Sequence, residues 1–119
     1  TMLEMAGRSI LPASHRYLAE VAKAERLTEQ CGCACASAKA AVENLCVSID
    51  VAAGAAEALR RALEAIDTAS LNEGERAGRC REMAHHEMAA LRRAVDALEM
   101  QLPQDFWPVP DYSALLYDL

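Results

Sequence analysis

The strongest constraint on this chain is a run of apolar residues at Val42, Leu45, Ile49, Ala52, Ala56, Leu59, Leu63 and Ile66. Its steps alternate between three and four residues without a miss, which is the seam of one long helix in contact with a partner. The flanking positions Ala41, Ser48, Ala55 and Ala62 are also small, so this helix should pack against more than one neighbour. Glu43, Asp50, Glu57 and Glu64, spaced seven apart, form the one strongly charged row and should face water. A second seam repeats the rhythm at Ala84, Met88, Leu91, Val95, Leu98 and Leu102. Helices carrying these two seams, of similar length and joined by a short link, should form an antiparallel hairpin.

The remaining helix precedes them. Leu3, Ile10, Tyr17, Val21 and Ala24 recur at helical spacing, widened by Leu11 and Leu18. Pro12 interrupts this stripe. It either kinks the helix near Ser9–Leu11 or stands as the first residue of the helix proper, a position that suits proline. Gln30-Cys31-Gly32-Cys33 should break the first helix from the second, with Gly32 as the turning point. Ser70-Leu71-Asn72-Glu73 has the spacing of a capping box and should start the third, although Gly74 and Gly78 weaken its first turns. The fold expected is therefore all-α: an antiparallel bundle of three long helices, 2–29, 34–69 and 71–102, with a tail over 103–119. Larger residues such as Met88 should sit opposite Ala52–Ala56, with the first helix along the Ala-rich side.

Composition agrees with helices. Hydrophobic residues make up 53% of the chain but aromatic ones only 4%, so the apolar content is mainly Ala, Leu, Val, Ile and Met. The formal charge of −6 argues against general binding to nucleic acid or anionic membranes, which need a positive field. No apolar run reaches the roughly 18–20 residues of a membrane span, and the expected setting is cytoplasmic. Helical pattern begins immediately at Thr1, which predicts a segment of a longer protein and one domain over residues 1–119.

Four of the five aromatic residues crowd into the end of the chain: Phe106, Trp107, Tyr112 and Tyr117. Pro103, Pro108 and Pro110 should hold Leu102 to Pro110 extended. Asp111 can cap a short terminal helix carrying Tyr112, Leu115 and Leu116. Phe106, Trp107, Pro108, Pro110, Tyr112, Leu115 and Leu116 form the expected interaction surface. It is a plug for a groove on this chain, on another domain or on a neighbouring subunit.

The run Asp105-Phe106-Trp107-Pro108-Val109-Pro110-Asp111-Tyr112, followed by Leu115-Leu116-Tyr117, resembles the C-terminal end of type III glutamine synthetases. Thr1-Met2-Leu3-Glu4-Met5, Ile10-Leu11-Pro12-Ala13 and Arg16-Tyr17 are similar to the same family's entry into its C-terminal helical region. The two ends match closely, and the middle is similar in being long, Ala-rich and helical. The Cys31–Cys35 cluster and Gly54 depart from the family pattern. The resemblance implies a parent enzyme that joins ammonia to glutamate using ATP and divalent Mg or Mn, and that assembles as stacked hexameric rings. It also implies that nucleotide, glutamate and metal ligands lie upstream of Thr1, leaving this segment without catalytic residues or a cofactor of its own. Its expected partners are the catalytic domain of the same chain and neighbouring subunits of a homo-oligomer.

Other chemistry has to be weighed beside this. Cys31, Cys33 and Cys35 could offer thiolates to Cu(I) or Zn(II), but structural zinc sites pair such cysteines with a second pair elsewhere. The cluster is expected instead to fill a small-residue stretch at the helix break, and Cys46 and Cys80 to act as small hydrophobes near the seams. His85 and His86 are adjacent, so on a helix they diverge by about 100° and should lie on exposed flanks, as should the lone His15. Arg60-Arg61 and Arg92-Arg93 are expected to pair along the helix as Glu57–Arg61, Arg60–Glu64 and Arg92–Asp96. No Gly-rich phosphate loop and no nucleophile with a placed base is present. Two alternatives to the enzyme-domain reading remain: a small Cys-rich metal-binding protein using Cys31, Cys33 and Cys35, and an adaptor that captures a partner helix.

Overall fold

A computed structural model describes residues 2–69 and 74–107. Every regular element among them is helical: α1 (Met2–Met5), a π-helical segment (Ala6–Ile10), α2 (Leu11–Gln30), α3 (Ala36–Ala69), α4 (Gly74–Gln101) and a 3-10 turn (Gln104–Phe106). The molecule is a rod measuring 64 × 26 × 18 Å. Its radius of gyration of 17.8 Å exceeds the roughly 13 Å expected of a compact domain this long. α3 sets that length, since at 1.5 Å per residue it spans about 50 Å. It is also the central element, packing on α4 along one flank and on α2 along another.

The seams predict most of the core. Leu45, Ile49, Ala52 and Leu59 of α3 are buried, as are Ala84, Leu91, Val95, Leu98 and Leu102 of α4 and its end. α1, the π segment and α2 contribute Ala6, Ile10 and Ala13, all fully buried. Sealing each of Ile10, Leu45, Leu59, Leu91 and Leu98 from water is worth about 1.5–3 kcal/mol. The predicted seams fail at two positions. Leu63 is 38% exposed while its flanking neighbour Ala62 is 4% exposed. A straight helix drifts about 20° per heptad against a strict seven-residue repeat, so the buried face moves onto the flank towards the end of α3. Met88, expected opposite Ala52–Ala56, is 36% exposed. The π segment and α2 both pack on α3.

Pro12 does not break the chain, and it stands at the start of α2, close to the second of its two expected positions. Met5, Ile10 and Leu11 all keep right-handed helical φ and ψ, and the Leu11 N–H reaches back to the Ala6 carbonyl, one residue further than in an α-helix. Proline has no N–H to give, and a wide π turn just before it lets the backbone re-register without a break. Pro12 then lies in the first turn of α2. Ser14, fully buried, donates its hydroxyl to the Ile10 carbonyl at 2.8 Å, which satisfies a polar group that has no water to bond.

The end of α2 does follow from its residues. The Gly32 N–H donates to Glu29 at 3.0 Å and the Cys33 N–H to Thr28 at 2.9 Å, the paired bonds of a Schellman cap. Gly32 carries the required positive φ of 79°. Beyond its chain neighbours nothing lies within 4 Å of where a Cβ would stand, so a substitution there meets backbone strain and no collision. Gly32→Ala is expected to destabilise the fold by about 1 kcal/mol, the cost of an L-residue in left-handed geometry. A chemical melt with an unshifted midpoint would contradict this. α3 starts at Ala36, slightly later than the pattern predicts, with the Cys35 carbonyl accepting from the Lys39 N–H at 3.1 Å. α4 begins by Gly74, and the predicted capping box at Ser70–Glu73 lies outside the described residues.

Candidate functional site

The aromatic end of the chain is placed by the way α4 stops. Leu102 still donates to the Leu98 carbonyl at 3.0 Å and is buried, and Pro103 then turns extended at φ −61°, ψ 154°. The predicted extended run does not continue. Phe106 donates to the Pro103 carbonyl at 2.9 Å and Trp107 to Gln104 at 3.1 Å, closing a 3-10 turn. Proline cannot donate but its carbonyl accepts freely, so Pro103 ends the α-helix and starts the tighter turn. The turn aims Phe106 back at α2, where its ring lies 5.1 Å from that of Tyr17 at an interplanar angle of 55°. That tilted geometry suits the quadrupoles of two aromatic rings. Phe106 and Trp107 are both half-buried against the common core. Pro108, Pro110, Tyr112, Leu115 and Leu116, with the expected short terminal helix, lie outside the described residues.

Two shallow depressions border this aromatic corner. One, of about 310 Å³, has Leu45 and Ala41 among its apolar lining, with Tyr17, Ser37, Asn44 and Gln101 supplying polar groups. The other, of about 440 Å³, is lined by Glu99, Leu102, Gln104 and Trp107. Gln101 ties the corner to α3: its Nε2 donates to Ser48 Oγ at 2.6 Å and to the Ala97 carbonyl at 3.2 Å. Apolar surface ringed by hydroxyl and amide groups suits an amphipathic peptide segment. Sequence pattern placed Tyr17 and Ser48 only as packing positions and did not single out Gln101. The available signal was Tyr17, the one aromatic residue outside the tail.

The cysteines do not behave as expected. Cys31, Cys33 and Cys35 are free and exposed, and fill no small-residue layer. Cys46 is exposed too, because it follows the seam residue Leu45 and points about 100° away from it. Only Cys80 is half-buried. Among the described residues no three His, Cys, Asp or Glu side chains are grouped to hold a metal ion.

His15, His85 and His86 are exposed, as their positions predict. Arg60 bonds to both Glu57 and Glu64, and Arg61 reaches Glu57 at 3.3 Å. The hydrogen bond from Arg60 holds the Glu57 carboxyl below the usual carboxylate range and in turn raises the Arg60 guanidinium. These are solvated pairs of small energetic weight. No ion pair joins Arg92 to Asp96. No helix among the described residues is long and apolar enough to cross a membrane. Comparison with known protein families, characterised proteins and solved structures finds no match to this chain.

Proposed function

We propose that this chain is the C-terminal helical domain of a type III glutamine synthetase, serving structure and assembly rather than catalysis. In this reading α2, α3 and α4 form an antiparallel bundle that acts as a strut, and the aromatic tail is its docking element. Its partners are the ligase domain upstream of Thr1 and neighbouring subunits of a cytoplasmic homo-oligomer. ATP and the divalent Mg or Mn belong to that upstream domain.

One observation supports the reading above others. The residues that carry the resemblance sit at opposite ends of the sequence, and Tyr17 from one stretch meets Phe106 from the other at 5.1 Å. Sequence ends that resemble a single family and also touch have a physical reason to occur together. The test is Trp107→Ala in the full-length enzyme, read by light-scattering mass and thermal melting. The reading expects a smaller assembly or a melting temperature lower by several degrees. Unchanged mass together with an unchanged melt would refute the docking role.

A further inference from the structure

Three thiols within five residues are the most reactive chemistry that the assembly role leaves unused. Cys31, Cys33 and Cys35 are all free and exposed, and they stand on a turn whose backbone is defined. Cys31 closes α2, with its N–H on the Leu27 carbonyl at 3.2 Å. Gly32 takes the left-handed position at φ 79°, and Cys33 hangs from Thr28 by its N–H. One intervening residue limits the separation of two Cα atoms to roughly 7 Å. A disulfide needs about 4.4–6.8 Å, so Cys31 and Cys33 stay within or at the edge of bridging range. Glycine between them gives that pair the backbone freedom to close, which Ala34 denies to Cys33 and Cys35. No other part of the chain crowds the Cβ position of Gly32.

We propose that Cys31 and Cys33 form a reversible thiol–disulfide site, oxidised by a low-molecular-weight disulfide and restored by a small thiol. One protein thiolate attacks a sulfur of the small disulfide, forming a mixed disulfide and releasing one small thiolate. The second protein thiolate then attacks the protein sulfur of that mixed bond and releases the other small thiolate. Two protein thiols and one small disulfide thus become one protein disulfide and two small thiols. The bridge closes a small, strained ring on an exposed turn, and strained, exposed disulfides lie at the easily reduced, regulatory end of the scale. Closing it pulls Cys33 off the Thr28 carbonyl and loosens the cap of α2, while Leu45, Leu91 and Leu98 stay undisturbed. This inference stands independently of the assembly role.

The experiment equilibrates the whole chain in mixtures of glutathione and glutathione disulfide of stepped ratio. Samples are quenched in acid, alkylated and mapped by peptide mass. The expected product is an internal Cys31–Cys33 bridge that grows with the oxidised fraction and disappears with dithiothreitol. Cys31→Ser and Cys33→Ser should each abolish it, whereas Cys35→Ser, Cys46→Ser and Cys80→Ser should leave it in place. Cys31, Cys33 and Cys35 are exposed, so the informative variants leave the core intact. Three outcomes overturn the proposal: thiols that stay reduced across the series, glutathione adducts on single cysteines with no bridge, or a wild-type bridge joining Cys33 to Cys35.

Discussion

Leu98→Ala is expected to lower the unfolding free energy by about 2–5 kcal/mol, the range for leucines cut back inside a packed interior. Leu98 is fully buried, and it lies on α4 between fully buried Val95 and buried Leu102, where the chain prepares to turn at Pro103. The cavity cannot be filled by sliding α4, because Gln101 is bonded to Ser48 only a turn away. For a chain this long the loss corresponds to a fall of about 8–20 °C in the melting temperature. Val47→Ala is the control: that side chain is 64% exposed, and its truncation should change stability by less than about 0.5 kcal/mol. Equal effects from the two substitutions would mean that α4 does not pack on α3 through this seam.

The second large effect is expected at the aromatic corner. Phe106→Ala should cost about 2 kcal/mol, roughly half the usual loss for a core phenylalanine, because the ring is half-buried. Part of that loss belongs to the ring pair. A double-mutant cycle of Phe106→Ala with Tyr17→Ala should return a coupling of about 0.5–1.5 kcal/mol. Trp107 supplies a second readout, since it packs against the core beside this contact. Its emission should be blue-shifted from that of the unfolded chain, and Phe106→Ala should move it to the red. A coupling below about 0.3 kcal/mol would remove the ring contact as a fastening for the end of α4.

These expectations show where sequence pattern was sufficient and where it was not. The helices and their middle layers were legible because Leu45, Ile49, Leu91, Val95 and Leu98 obey a local rule of spacing. Gly32 was legible because left-handed backbone selects glycine strongly at a helix end. Leu63 was misread because a strict heptad ignores the drift of a straight helix. Pro12 implied a disturbance without saying that a π turn would absorb it. The Tyr17–Phe106 contact joins residues far apart in sequence, and no local rule pairs them. The end of α4 was legible from Pro103, but the Gln101–Ser48 bond across to α3 joins polar residues equally remote in sequence, again beyond any local rule.

The end of α4 has a consequence for the order in which the rod comes apart. α4 ends at Gln101, beside the first turns of α3, and every residue from Gln30 to Ser37 is exposed. That tip holds few apolar contacts, so its amides should exchange with solvent through partial openings far cheaper than global unfolding. The triple-layered middle around Ile10, Leu59 and Leu91 should open last. The rod is thus graded along its axis, with a yielding tip that can be chemically altered and a firm waist that keeps its shape.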